Sequence, residues 1–240
     1  MNLLEKLDLF NILIHMMLLF TAIPVHECAH ALMADKLGDP TPRSQGRITL
    51  NPFAHLTLWG SMLLIFAGFG WGKPVAVDAR NFKKPKRDMA LTALAGPVSN
   101  IIMAYLSMVV YKLLISDALY GGIRSLLPGS AQFVPMIFAY SAIINISLAV
   151  FNFLPVPPLD GSKIFNSVLP DSLYFRIMKY EQYIIVVVII LVYSGLLDTP
   201  LGFLNGIVRS ALMSLTGWVD GIAPVSDMYL LDMEYTMNAR

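Results

Sequence analysis

The sequence predicts an all-α polytopic membrane protein, with about five to six transmembrane helices and a short re-entrant or β-hairpin segment between the first two motif-bearing helices. Two observations indicate this fold class. Hydrophobic residues make up 56% of the chain and charged residues only 14%, whereas charged residues are about a quarter of a typical soluble domain. The apolar residues also form separate runs, several of them long enough for the roughly 20 residues that cross a bilayer.

The first apolar run extends from about residue 7 to residue 32. We interpret it as a retained helix and not a cleaved signal peptide, because Glu5 and Asp8 are acidic where a signal peptide carries positive charge. Pro24 predicts a kink or a loosening of this helix. Residues 56–71 are too short and glycine-rich for a confident span, and basic residues flank them on both sides. We therefore predict a re-entrant or interfacial hairpin there, preceded by a short strand at residues 47–50.

Further spans are predicted at residues 89–114 and 133–153, joined by an external loop at residues 116–131. Three prolines within four positions then prevent the helix from continuing towards Asp160. Two weaker apolar segments follow, at residues 183–197 and 201–218. The cations that we assign to one side are Lys36, Arg43, Arg47, Lys73, Arg80, Lys83, Lys84, Lys86, Arg87, Lys163, Arg176 and Lys179, whereas the opposing loop has Arg124 alone. This asymmetry predicts an outside N-terminus.

The stretch His26-Glu27-Cys28-Ala29-His30 closes the first apolar run. Two histidines four positions apart lie on one face of a helix and can bind one Zn²⁺, while Glu27 beside them can take a proton from a zinc-activated water. The alternative is a chance match to a short pattern. The apolar setting favours the metal site, because ionisable residues in such a run are costly and usually functional.

A catalytic zinc usually takes three protein ligands, so this stretch needs another donor. Asp160 is the best candidate, because the predicted topology brings it to the same depth as His26 and His30; its alternative is an Asp-Gly turn at the membrane surface. His55 is the second candidate, although a histidine in a basic loop is more often only solvated. Asn152 is either an interhelical hydrogen-bonding group or a donor to the oxyanion formed during peptide hydrolysis.

Five ordered motifs resemble the site-2 protease family of intramembrane zinc metalloproteases, and in particular its compact prokaryotic members. They are HECAH at residues 26–30, GRITLNP at 46–52 followed by His55, KPVAV at 73–77, AGPVSN at 95–100 and the stretch 152–161. The resemblance implies His26, His30 and Asp160 as ligands of one Zn²⁺, Glu27 as general base, and Asn152 as a contributor to substrate or oxyanion binding. One departure is Thr57, where compact relatives often have an acid.

The resemblance also implies hydrolysis of a peptide bond within or near a transmembrane helix of a membrane-bound substrate. We expect a transmembrane protein substrate and the lipid bilayer as partners, no nucleic acid, and no PDZ or CBS domain; homo-oligomerisation is left open. Residues 1–182 are predicted to form the catalytic core, and residues 183–240 the C-terminal helices, tail and substrate gate. We expect a multi-pass cell-membrane protein whose active site lies nearer the cytoplasmic face.

Two other functions remain as alternatives. In a divalent metal transporter or channel, the same residues would line an ion path, although paired discontinuous helices with a midplane site are not evident in the sequence. In a non-catalytic membrane-helix binder, Glu27 would have no purpose. Both alternatives predict little effect from replacing Glu27, whereas a protease would lose cleavage.

Overall fold

The structure, a computed structural model, describes residues 9–67, 70–127, 131–167, 169–170 and 180–224. Helices and connecting segments make up these ranges, and no strand is found within them. The helices are α1 (Leu9–Met17), α2 (Ile23–Leu37), α3 (Thr41–Ser44), α4 (Leu58–Ala67), α5 (Pro85–Leu114), α6 (Asp117–Leu126), α7 (Phe133–Asn152), α8 (Asp160–Asn166), α9 (Glu181–Tyr193), α10 (Asp198–Leu215) and α11 (Gly217–Ile222). The all-α class is therefore confirmed for the described residues.

The first span is continuous through α1 and α2, joined by a π-helical turn at Leu18–Ala22. The candidate span covers Ile12–Leu37, so the helix continues five residues beyond the end of the apolar run near residue 32. Pro24 lies in the first turn of α2, where the absence of an N–H is tolerated. The irregularity expected at this proline is thus the π turn that precedes it.

The segment between α2 and α5 differs from the predicted β-hairpin. The only β pairing among its described residues is an isolated bridge between Leu56 and Gly72, which brings the two ends of the α4 segment together. The strand predicted at residues 47–50 is wrong: the backbone N–H of Arg47 bonds to the carbonyl of Pro42, and the chain bends there. Whether α4 enters the bilayer stays a prediction.

Thr57 caps the start of α4. Its hydroxyl oxygen accepts a hydrogen bond of 3.1 Å from the N–H of Gly60. Threonine and aspartate both satisfy free N–H groups at a helix start. Threonine in place of the acid that compact relatives often have is therefore conservative with respect to capping.

Helices α5 and α7 form the centre of the bundle, and α2 packs on α5. Both central helices are long and apolar enough to cross a membrane, as predicted. The segment between them, predicted as an external loop, is helical over most of its length, because α6 occupies ten of its residues. Its position outside the membrane stays a prediction. Ser116 in extended conformation precedes this helix and Asp117 lies in its first turn, both common features of a helix start.

Helix α7 ends at Asn152, as the following prolines predict, and α8 begins at Asp160 after an irregular segment. Gly161 allows the first turn of α8 to lie directly against the end of α7. A Cβ at Gly161 would lie 2.3 Å from the carbonyl oxygen of Phe153 and 2.4 Å from that of Leu154. This close approach fixes the position of Asp160.

Two C-terminal helices, α10 and α11, pack on the central pair. Leu212 of α10 belongs to a buried apolar cluster with Ala104, Ile146 and Val150. Helix α9 and the pair α10 and α11 are together long and apolar enough to cross a membrane, but the chain bends by 85° between Val186–Tyr193 and Asp198–Ile222. The described part of the chain therefore has three candidate membrane spans, or four if the bent pair counts as one. The predicted number of five to six is not confirmed, and residues 1–8, Arg176, Lys179 and the acidic tail after residue 224 lie outside the described residues.

Candidate metal centre

Three side chains converge inside the helix bundle. His26 and His30 lie one turn apart on α2, and Asp160 is the first residue of α8. All three are buried, with 6%, 8% and 6% of their surface exposed, respectively. Oδ2 of Asp160 lies 3.1 Å from Nε2 of His26 and 3.0 Å from Nε2 of His30, and the two nitrogens are 3.0 Å apart. Among the described residues, this is the one group of histidine, cysteine and acidic side chains close enough to hold a metal ion.

Hydrogen bonds on the far side of each ring determine which nitrogen faces this group. Nδ1 of His30 lies 2.7 Å from the carbonyl oxygen of Thr92, and a carbonyl can only accept. Nδ1 of His26 lies 2.6 Å from Oδ1 of Asn100. When the rings are neutral, both Nε2 atoms therefore present lone pairs to the carboxylate oxygen.

The chemistry of this donor set fits zinc. Three acceptor atoms at this spacing repel one another unless a cation lies among them. Two ligand atoms of a tetrahedral zinc, each about 2.0–2.1 Å from the metal, are about 3.3 Å apart, close to the 3.0–3.1 Å found here. Histidines whose second nitrogen is hydrogen-bonded to a carbonyl or carboxylate are also the usual form in zinc sites.

Helix α5 approaches the two imidazole rings at a glycine. A Cβ built on Gly96 would lie 2.4 Å from Nε2 of His30 and 2.7 Å from Cε1 of His26. Any side chain at this position would occupy the space that the rings need. The absence of a Cβ at Gly96 therefore sets how closely α5 packs on the histidine pair.

Glu27 is held beside the group by the segment that returns from α4. Its Oε2 atom accepts a hydrogen bond of 3.1 Å from the backbone N–H of Val75. The same segment is fixed at Lys73, whose N–H donates to the carbonyl of His55 over 2.7 Å. The carboxylate of Glu27 is thus oriented by backbone that is itself anchored.

Arg47 provides the second anchor of this segment. Its guanidinium donates to the carbonyl oxygens of Ala54 and Lys73, and only 3% of the residue is exposed. Burial lowers the pKa of Arg47 from its ordinary value, and the charge of the nearby Glu27 opposes that shift. Arginine stays protonated in proteins, so a buried positive charge lies near the Glu27 carboxylate.

Asp39, just after α2, fixes the far end of the segment. Burial would raise the pKa of its carboxyl, but hydrogen bonds from Thr41, Asn81 and the N–H of Asp78 hold that pKa below its ordinary value. The bonds to Asp78 and Asn81 are 2.8 and 2.7 Å long. The chain from residue 73 to residue 81 is therefore tied at both ends to the loop that follows α2.

His55 and Asn152 lie outside the three-residue group. His55 is fully buried, not solvated as its sequence position suggested, and its Nε2 lies 2.8 Å from the carbonyl of Thr49. Asn152 donates from its amide nitrogen to the carbonyl of Leu148 on its own helix, over 2.9 Å. The structure thus joins His26, His30 and Asp160 but does not bring His55 to them, and the catalytic role of Asn152 stays a prediction.

Sequence reasoning missed several residues around the group. The sequence indicates Arg47 only as a basic residue, as part of a strand and as a member of the GRITLNP motif, and it indicates Asn100 only as the last residue of the AGPVSN motif. Asn145 had not been singled out at all. An amide within an apolar span is a signal that could have identified it, because such groups need a partner inside the bundle.

Comparisons with known proteins agree with this site. Residues 14–194 match the family model for Peptidase family M50. The chain is 38% identical over 184 residues to "Putative zinc metalloprotease YwhC" of Bacillus subtilis, covering 77% of this chain and 80% of that protein. It is 29% identical over 179 residues to "Putative zinc metalloprotease Rip2" of Mycolicibacterium smegmatis, covering 72% of this chain and 64% of that protein.

A shorter match, 36% identical over 75 residues, is to "Putative zinc metalloprotease MJ0611" of Methanocaldococcus jannaschii and covers 30% of each chain. No solved structure gives a significant match. The family model covers well over half of the chain and includes all three members of the buried group. The chain therefore belongs to Peptidase family M50, the site-2 protease family of zinc metalloproteases.

Proposed function

We propose that this protein hydrolyses a peptide bond within or near a transmembrane helix of a membrane-bound substrate. The observation that carries the proposal is the buried convergence of His26, His30 and Asp160 next to the Glu27 carboxylate. The two histidines lie in one candidate membrane span, and their hydrogen-bond partners Thr92 and Asn100 lie in another. A peptide-hydrolysing site built from these helices favours a substrate that is also in the membrane.

Each residue of the site has a proposed role. His26, His30 and Asp160 would hold the zinc, which supplies Lewis acidity that makes a water molecule lose its proton near neutral pH. Glu27 accepts that proton and returns it to the leaving amine. Asn152 is proposed to bind the substrate carbonyl through the amide hydrogen that does not bond to Leu148, since an amide nitrogen has two donors.

The substrate helix must unwind locally, because its carbonyls are otherwise held in its own hydrogen bonds. We propose that the unwound segment pairs with residues 73–77 as an added strand. On one edge of this segment, the N–H groups of Lys73 and Val75 already bond to His55 and Glu27. Pro74 has no N–H, and the backbone N–H of Ala76 has no partner among the described residues, so Ala76 offers a free donor.

Replacing Ala76 with proline is expected to lower cleavage about tenfold, roughly the effect of losing one hydrogen bond in the substrate complex. Zinc content should stay unchanged, because Ala76 is not one of the three residues whose atoms converge. The control is Ala76→Val, which adds a side chain but keeps the N–H and favours extended backbone. Equal cleavage by the proline variant and the wild type would show that the substrate does not pair at this position.

The arrangement in the membrane is also part of the proposal. The excess of basic residues in the loops that flank the site segments supports a site nearer the cytoplasmic face of the cell membrane, with α4 as a re-entrant segment. Residues 183–240 are proposed to gate the substrate. Such a gate must break the contact between Leu212 and the central cluster and the 2.6 Å ion pair between Lys112 and Asp220.

The test is a metal analysis of the purified protein, followed by a cleavage assay on a panel of single-span membrane proteins. We expect zinc in the wild type, cleavage that a chelator stops and added zinc restores, and a fall in zinc affinity of more than about 100-fold in Asp160→Ala. By comparison, loss of a group that only hydrogen-bonds to a metal ligand lowers metal affinity by about 10–100-fold. Full zinc content in Asp160→Ala would contradict the assigned site, and zinc binding without cleavage of any substrate would favour a transporter or a binder.

A further inference from the structure

We infer that Asn145 is a positioning residue of the metal centre, acting through Asn100 on the ring of His26. The inference rests on the proposed function, in that it takes zinc to be bound by His26, His30 and Asp160. Asn145 belongs to α7, which contributes none of these three ligands. Its role would be to determine which nitrogen of His26 carries the hydrogen.

A continuous row of hydrogen bonds connects α7 to the metal ligand. Nδ2 of Asn145 donates to the carbonyl of Ser141 over 2.8 Å. Nδ2 of Asn100 donates to Oδ1 of Asn145 over 2.8 Å, and Oδ1 of Asn100 lies 2.6 Å from Nδ1 of His26. Both asparagines are fully buried, so water cannot replace any of these partners.

The direction of the row follows from its fixed end. The carbonyl of Ser141 can only accept, so the amide nitrogen of Asn145 must face it and the amide oxygen must face Asn100. Asn100 must then present its nitrogen to Asn145 and its oxygen to His26. An acceptor at this position requires the hydrogen of His26 on Nδ1, which leaves Nε2 free to bind the metal.

A second backbone carbonyl opposes the reversed arrangement. Nδ2 of Asn100 also faces the carbonyl of Ala22, at 3.4 Å. Turning both amides around would place the oxygen of Asn100 against the carbonyl oxygen of Ala22 and the oxygen of Asn145 against that of Ser141. The row can therefore exist in one direction only, which couples the tautomer of His26 to a backbone carbonyl of α7.

The row also differs from the partner of the other histidine. His30 reaches a backbone carbonyl directly, at Thr92, so no side chain is needed to determine its tautomer. His26 depends on two side chains from two different helices. Loss of Asn145 should therefore disturb one ligand and leave the other in place.

The test uses zinc affinity, measured by competition with a chromogenic chelator, and the absorption spectrum of the Co²⁺-substituted protein, which reports ligand geometry. We expect Asn145→Leu and Asn145→Ala to weaken zinc binding about tenfold and Asn100→Leu about 10–100-fold, the range for partners of a zinc-binding histidine. All three variants should change the Co²⁺ spectrum. Because Asn145 acts through Asn100, the double variant Asn100→Leu/Asn145→Leu should bind zinc no more weakly than Asn100→Leu alone.

The matched control is Ser141→Ala. It removes a 2.9 Å hydroxyl contact with Ser107 at the same α5–α7 interface but keeps the Ser141 carbonyl that ends the row. We expect wild-type zinc affinity and an unchanged Co²⁺ spectrum. An equal loss in Ser141→Ala would show that general packing of α5 on α7 causes the effect, and the inference would be wrong.

Two further results would overturn the inference while leaving the proposed function intact. One is wild-type zinc affinity and an unchanged Co²⁺ spectrum in the Asn145 variants. The other is a double variant whose loss equals the product of the two single losses, because independent effects multiply. A wild-type protein that binds no zinc, or an Asp160→Ala variant that binds it normally, would instead refute the site on which the inference rests.

Discussion

Replacing Glu27 with glutamine is expected to lower cleavage of a membrane-spanning substrate by about 10³-fold, within the range for loss of a general base, while zinc content stays the same. Glutamine has nearly the shape of glutamate and keeps an oxygen that can accept the hydrogen bond from Val75. It cannot accept the proton of the attacking water at neutral pH. Glu27 is not one of the three residues whose atoms converge, so metal binding should not depend on its charge.

Asp35→Asn is the matched control for this variant. Asp35 lies on the same helix, two turns beyond Glu27, and pairs with the exposed guanidinium of Arg43. A surface ion pair contributes only about 0–1 kcal/mol to stability, so we expect wild-type cleavage and zinc content. Zinc-loaded Glu27→Gln protein that cleaves at the wild-type rate would exclude Glu27 as the base. A metal flux that continues in Glu27→Gln would favour the transporter.

The metal centre could be predicted from the sequence largely because its first part is local. His26 and His30 are four residues apart, and helix geometry alone places them on one face. Predicting Asp160 as a ligand needed two further inferences. The prolines had to end α7, and the predicted topology had to return the chain to the depth of the histidines. The structure brings Asp160 Oδ2 to 3.0–3.1 Å from both imidazoles, a convergence that spacing alone could not define.

Two elements differ from the sequence prediction, and the first depends on side-chain contacts between distant segments. The strand expected at residues 47–50 has a plausible local pattern, but the inward-turned guanidinium of Arg47 competes with it by binding the carbonyls of Ala54 and Lys73. The loop expected at residues 116–131 contains paired glycines. These glycines lie within α6, where neither has a neighbour that a Cβ would meet.

The supporting network of the site shows the same limit. Asn100 and Asn145 are 45 residues apart, and each amide could have bonded to many other groups in a bundle of this kind. Only the packing of α5 on α7 selects this partner. A polar residue in an apolar span signals that some partner exists, but the identity of the partner is a property of the folded bundle.

Replacing Gly96 with alanine is expected to reduce zinc binding to background and to abolish cleavage with it. The added Cβ would lie 2.4 Å from Nε2 of His30, 2.5 Å from its Cε1 and 2.7 Å from Cε1 of His26. Contacts this short cannot form, so either the rings rotate away or α5 separates from α2. Either response displaces both nitrogen ligands at once. Asp160→Ala, by contrast, removes one ligand and leaves the other two in place.

Gly206→Ala is the control for Gly96→Ala, because Gly206 also lies inside a helix, α10, but a Cβ there meets no atom within 4 Å. Alanine within a helix is about 0.5–1 kcal/mol more favourable than glycine, so this variant should keep its zinc and cleave normally. Metal analysis, a cleavage assay and far-ultraviolet circular dichroism on both variants separate the site effect from a general loss of helix. Gly96→Ala protein with one zinc per chain and normal cleavage would mean that α5 does not approach the histidine pair as closely as described, and the buried arrangement of His26, His30 and Asp160 would have to be revised.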